Sequence, residues 1–127
     1  MTNDPFAAQR APTPLDQTVL ERLLAHPRGR ELLALYAEDA RDMLRQLREA
    51  LSRSDAAATR EAAHSLKGSS QYVGASRIVS LSAALEQQAR EGLRFDTAEL
   101  MAQLEIAFAH VSRAITTVVQ PALLSDH

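Results

Sequence analysis

Apolar residues recur at steps of three and four along most of this chain, and that spacing restricts the fold more than any other feature. Residues at these steps share one side of an α-helix, while charged residues occupy the other. Hydrophobic residues make up 46% of the chain, but only 4% of its residues are aromatic and tryptophan is absent. This composition favours helix over sheet. The clearest stripe comprises Leu33, Tyr36, Ala40, Met43, Leu44, Leu47, Ala50 and Leu51.

Helix-ending residues divide this pattern into one short and four long predicted helices, A to E. Pro27 ends helix A, Gly74 suits a left-handed residue after helix C, Gly92 ends helix D, and Pro121 stops helix E. Asp55 is the predicted N-cap of helix C. The predicted ranges are about 13–26, 28 or 30 to 51, 56–73, 75–91 and 97–120.

Two helix starts carry further capping signals. Thr13 or Asp16 can cap helix A. Helix E is predicted to begin with Asp96 as N-cap and Glu99 completing a capping box, while Phe95 staples against Leu100.

Short connections between the helices favour an all-α, antiparallel, up-and-down four-helix bundle with the additional short helix A at one end. Residues 1–12 contain two prolines and no periodicity, so we expect a flexible N-terminal lead-in. Residues 13–127 are expected to form one bundle domain, which we predict to be monomeric.

Charge and composition exclude several classes of function. The formal net charge is -2 and the arginines are scattered among acidic residues, so nucleic acid is not an expected partner. No signal-like start and no membrane-length apolar run are present, which favours a cytoplasmic location without membrane contact. Because the chain lacks cysteine, disulfides and thiolate zinc sites are excluded.

Helix C is predicted to present a polar face to solvent. Its buried arc is expected to comprise Ala62, Leu66, Ser69 and Val73. The opposite side carries His64, Lys67, Gly68 and Gln71. The small side chains of Ser69 and Ser70 are expected to let a neighbouring helix approach closely.

His64 and its neighbours suit the handling of an anionic group. A neutral imidazole is a nitrogen nucleophile that can carry a phosphoryl group. Lys67, the only lysine of the chain, lies one turn away and can offset negative charge. Gly68 leaves the surface beside both open, at a cost of about 1 kcal/mol in helix propensity.

The run His64-x-x-Lys67-Gly68-Ser69-Ser70-x-x-x-Gly74-Ala75 closely resembles the signature of histidine-containing phosphotransfer (HPt) domains of multistep phosphorelays. The resemblance covers about residues 15–120. It implies that His64 carries the phosphoryl group, that Lys67 stabilises charge and that Gly68 admits a receiver domain. It also implies transfer from an aspartate of one receiver to an aspartate of another, as between a hybrid sensor kinase and a response regulator.

Three further polar residues are candidates for supporting His64. An antiparallel hairpin of helices C and D that turns near residue 75 places Glu86 level with His64, and Arg90 one turn further. We expect Arg90 to be a second cation for the phosphohistidine, positioned by an i, i+4 pair with Glu86. Gln71 can donate a hydrogen bond to the phosphoryl group. For all three residues, solvated surface side chains remain the alternative.

A receiver that docks around His64 requires an exposed apolar patch. Helix A is the expected source, because it holds more apolar residues than a short helix readily buries. The expected contacts are Leu15, Val19, Leu20 and Leu23, with Arg22 and Arg60 as a basic rim.

Other functions remain as alternatives. An HPt-like bundle that acts only as a protein-interaction or scaffolding module is the strongest. Glu61 and His64 have the i, i+3 spacing of a metal pair, but many helices offer such spacing, and no metal site is predicted. The chain lacks a nucleotide-binding motif, so we predict a carrier rather than an enzyme, with no cofactor of its own and with Mg²⁺ held by the receiver.

Overall fold

Five α-helices and no strand make up residues 13–93 and 96–120, the part of the chain that the computed structural model describes. The predicted lead-in, residues 1–12, lies outside the described residues. The all-α prediction is confirmed. The helices are α1 (Gln17–Ala25), α2 (Gly29–Ser52), α3 (Ala56–Val73), α4 (Ser76–Arg90) and α5 (Thr97–Val119).

Helices α2 to α5 form the predicted up-and-down bundle. Few residues separate consecutive helices, α3 packs between α2 and α4, and α5 closes the ring against α4 and α2. Helix α1 packs on α2 and α3. No helix within residues 13–93 and 96–120 combines the length and the apolar character that crossing a membrane requires.

One continuous core fills the centre of the bundle. Most of the predicted α2 stripe is buried, while Met43 and Leu51 lie half-buried at its edge. The buried part of α3 is wider than the predicted arc, since α2 and α4 cover this helix from two sides. Ser69 is only half-buried, whereas Ser70 is fully buried and its hydroxyl lies 2.8 Å from the Tyr36 hydroxyl. Burial raises the pKa of Tyr36 to about 12.

The turn between α3 and α4 holds α1 in place. Gly74 has the left-handed φ of 75° that glycine favours. Its carbonyl accepts a hydrogen bond of 2.8 Å from the backbone N–H of Asp16. A Cβ on Gly74 would lie 2.9 Å from the Cβ of Val19. Only glycine therefore fits between the turn and α1.

Aspartate side chains cap α1 and α3, but the cap predicted for α5 is absent. Asp16 and Asp55 have extended backbones, and their carboxylates accept from the N–H groups of Val19 and Ala58. Asp96 precedes α5 with φ -90° and ψ 2°, and its side chain makes no capping hydrogen bond. The predicted capping box is therefore wrong, because an N-cap side chain needs the extended backbone to reach back. Phe95, the predicted staple, lies outside the described residues.

Candidate functional site

The predicted polar face of α3 is exposed, as the helical spacing indicated. The His64 side chain is 69% exposed and the Lys67 side chain 26% exposed. A Cβ added to Gly68 would meet no atom within 4 Å. The surface beside the imidazole is therefore open, as the access role of Gly68 requires.

A buried carboxylate from α4 organises this face. The Glu86 side chain is only 4% exposed. Its Oε1 accepts a hydrogen bond of 2.7 Å from Lys67 Nζ, and its Oε2 lies 2.8 Å from His64 Nδ1. Such burial of a carboxylate requires charged or hydrogen-bonded partners, which α3 supplies. The interpretation of Glu86 as a solvated surface residue is wrong.

The hydrogen bond to Glu86 fixes the proton on the imidazole. Because the Lys67 hydrogen bond outweighs burial, the pKa of Glu86 lies below its ordinary value, and the carboxylate is ionised at neutral pH. An ionised carboxylate only accepts hydrogen bonds, so Nδ1 of a neutral His64 is the donor. The lone pair then lies on Nε2, away from Glu86.

Arg90 also reaches Glu86, one turn along α4. Its Nη2 lies 3.4 Å from Glu86 Oε2, so the predicted i, i+4 pair is present. The direct contacts of Glu86 with His64 and Lys67 were not predicted, although the hairpin register placed Glu86 at their level. The sequence did carry a signal for the burial of Glu86. A stripe on α4 at steps of four, four and three comprises Ile78, Ser82, Glu86 and Ala89, and all four are buried.

The remaining predicted side chains stand apart from this cluster. Gln71 and Glu61 are exposed on α3, and within the described residues neither makes a hydrogen bond or an ion pair with His64. The hydrogen-bond partner of the His64 ring is Glu86. Residues 13–93 and 96–120 contain no group of three or more acidic, histidine or cysteine side chains that could hold a metal ion.

The predicted docking patch on helix A needs correction. Leu15 lies just before α1 and Leu23 lies within it, and both side chains are buried in the core, so they are not available to a partner. Val19 and Leu20 are half-buried, and Arg22 and Arg60 are exposed.

The sequence analysis did not single out Tyr72 as a candidate for partner contact, although this residue is 62% exposed. Tyr72 lines a groove between α1, α2 and α3 together with Val19, Arg22 and Leu32. Its position on α3, two turns after His64 and outside the buried arc, was the available signal.

Comparison with known proteins gives a consistent result. The sequence model of the Hpt domain matches residues 31–114. No curated protein shows significant sequence similarity to the chain. Among solved structures, the chain is similar to histidine-containing phosphotransfer protein B (HptB) from Pseudomonas aeruginosa PAO1, with 33% identity, a TM-score of 0.82 and coverage of 87% of this chain and 98% of that one. The chain therefore belongs to the Hpt domain family and has a histidine phosphotransfer role.

Proposed function

We propose that Nε2 of His64 accepts a phosphoryl group from a receiver-domain aspartate and passes it to the aspartate of a second receiver domain. The observation that carries this proposal is the hydrogen bond between His64 Nδ1 and the buried Glu86. It keeps the proton on Nδ1 and turns a lone pair on Nε2 toward solvent. A partner can then reach the nucleophile.

The transfer needs no redox partner and no nucleotide. The Nε2 lone pair attacks the phosphorus of the aspartyl phosphate, the N–P bond forms, and the P–O bond to the aspartate breaks. The aspartate carboxylate is the leaving group, while the Nδ1 proton stays on the Glu86 hydrogen bond. In the second transfer an aspartate oxygen attacks the phosphorus and the N–P bond breaks.

Lys67 and Gly68 support this chemistry in different ways. The ammonium of Lys67 lies on the same face as the imidazole and can offset charge on the phosphoryl oxygens. Gly68 leaves room for the receiver. We assign the Mg²⁺-dependent pocket to the receiver, because both oxygens of Glu86 already accept hydrogen bonds from side chains of this chain.

The groove lined by Tyr72, two turns along α3 from His64, supports receiver docking. Tyr72 offers a large exposed aromatic surface, and the half-buried Val19 and Leu32 extend it toward α1 and α2. Aromatic side chains of this kind anchor protein interfaces. Arg22, at the same groove, and Arg60, one turn before His64, are suited to contact the acidic surroundings of a phosphoryl-accepting aspartate.

The direct test is incubation with a receiver domain carrying labelled phosphate on its aspartate. Label is expected on this chain as an acid-labile, base-stable adduct, and substitution of His64→Gln is expected to abolish it. The matched control is His110→Gln, which changes an exposed histidine on α5 and is expected to accept label normally.

Two outcomes would contradict the proposal. Label retained by the His64→Gln variant would place the carrier elsewhere. Binding of receivers without any transfer of label would favour a scaffolding module instead.

A further inference from the structure

Lys67 is already occupied in the unphosphorylated protein. Its Nζ lies 2.7 Å from Glu86 Oε1, a distance typical of a strong charge-assisted hydrogen bond. The cation suited to the phosphoryl group is thus the principal counter-ion of a buried carboxylate. If Lys67 turns toward a phosphoryl group on His64, Glu86 loses its closest positive charge.

A buried carboxylate without a cation is unfavourable, so the movement of Lys67 needs a replacement. Arg90 is placed to provide it. Its Nη2 lies 3.4 Å from Glu86 Oε2 and its Nη1 lies 3.4 Å from the Gln87 side chain, and both contacts are long. The Arg90 side chain is 47% exposed, so it has space to move closer.

Charge favours the same rearrangement. One carboxylate here faces two cations, and a phosphoryl group brings roughly two further negative charges. Each cation then has an anion of its own, with Lys67 on the phosphoryl oxygens and Arg90 on Glu86. The hydrogen bond between Glu86 and Nδ1 of His64 persists throughout.

We propose that Arg90 is a positioning residue that takes over Glu86 when Lys67 moves to the phosphoryl group on His64. This inference rests on the proposed function of His64. In this role Arg90 acts through Glu86 and Lys67, and not as the second cation on the phosphoryl group that was expected from the sequence.

The first experiment needs no phosphoryl group. We would measure stability by urea denaturation for the wild type, Arg90→Gln, Lys67→Met and the double variant. If either cation can pair with Glu86, each single substitution lowers the unfolding free energy only slightly. The double variant then loses more stability than the sum of the two single losses. Arg113→Gln, which removes an exposed arginine on α5, is the control and should combine additively with Lys67→Met. Additive losses for Arg90 and Lys67 would overturn the takeover.

The second experiment follows Lys67 itself. Because the chain has one lysine, isotopic labelling of lysine gives a single side-chain NMR signal. Phosphoramidate can phosphorylate the protein without a receiver, since its phosphoryl group transfers to Nε2 and ammonia leaves.

In the wild type this signal is expected to shift on phosphorylation. In Arg90→Gln the shift should be reduced and the phosphohistidine lifetime should fall several-fold, with Arg90→Lys restoring both. A full shift in Arg90→Gln would show that Lys67 moves without a replacement, and would overturn the proposal.

A failure of phosphoramidate to modify His64 would count against the proposed function. The urea experiment would still decide whether Arg90 can replace Lys67.

Discussion

Gly68 lies within α3 and Gly74 is the residue that follows this helix, and their surroundings are opposite. A Cβ on Gly74 would lie within 3.0 Å of both Val19 and Asp16, whereas a Cβ on Gly68 would meet nothing within 4 Å. Gly74 also has a left-handed backbone, while Gly68 is an ordinary helical residue. Packing therefore explains Gly74, and nothing within the fold explains Gly68.

The difference extends to the two faces of α3. On the buried face, polar groups are satisfied inside the bundle, as when the Ser70 hydroxyl meets that of Tyr36. On the exposed face, His64 and Lys67 converge on Glu86 beside an open surface. The first arrangement stabilises the fold, and the second leaves a nucleophile accessible. Substitutions on the two faces should accordingly have different effects.

The largest loss of stability is expected for Gly74→Ala. A left-handed backbone strains alanine, and its methyl group would press on Val19 and Asp16, so we expect a loss of about 1–3 kcal/mol in unfolding free energy. Urea denaturation measures it. Gly92→Ala is the control. Gly92 also has a positive φ, of 98°, but a Cβ on it would meet no atom within 4 Å. An equal loss at Gly92 would show that backbone strain alone, and not packing against α1, explains Gly74.

An intermediate loss of unfolding free energy, about 1.5 kcal/mol at neutral pH, is expected for Glu86→Gln. This substitution removes the charge-assisted hydrogen bonds to His64 and Lys67. The pKa of Glu86 is lowered in the folded protein, chiefly by Lys67. Its contribution is therefore complete above the ordinary glutamate value of 4.5 and is lost as pH falls through the lower folded pKa.

The stability difference between wild type and Glu86→Gln should thus shrink below pH 4.5. Urea denaturation over a pH series measures this trend. The exposed Glu61→Gln serves as control and should show little difference from wild type at any pH. A difference for Glu86→Gln that stays constant with pH would contradict the ionised carboxylate.

The smallest effect, with the opposite sign, is expected for Gly68→Ala. With no neighbour to displace, alanine should raise stability by about 0.5–1 kcal/mol through its better helix propensity. The larger Gly68→Gln should also fold normally but slow phosphoryl transfer from a receiver by obstructing its approach. Loss of stability in Gly68→Ala would mean that this glycine serves packing, as Gly74 does.

Much of this molecule could be predicted from local patterns. The apolar stripes located all five helices, and Asp55 and Gly74 marked the ends of α3 because capping depends on residues that are close in sequence. The exposure of His64 followed from the same periodicity. The α5 capping box failed because the backbone of Asp96, and not its identity, decides whether the carboxylate can reach the helix.

The candidate site was only half visible in the sequence. The hairpin register brought Glu86 level with His64, but it did not show which partners the carboxylate would choose or that it would be buried. Leu15 and Leu23 were misassigned for a related reason. A short amphipathic helix does not specify how much of its apolar surface the rest of the bundle will cover.

The sequence by itself determined the helices, their up-and-down order, and a histidine, a lysine and a glycine on one exposed face. Periodicity and short connections fix these features through local geometry. Only the tertiary structure decided that Glu86 is buried between α3 and α4 and contacts His64, Lys67 and Arg90. The burial of such a carboxylate and the hydrogen bonds that it accepts depend on distances between helices, which no single segment encodes.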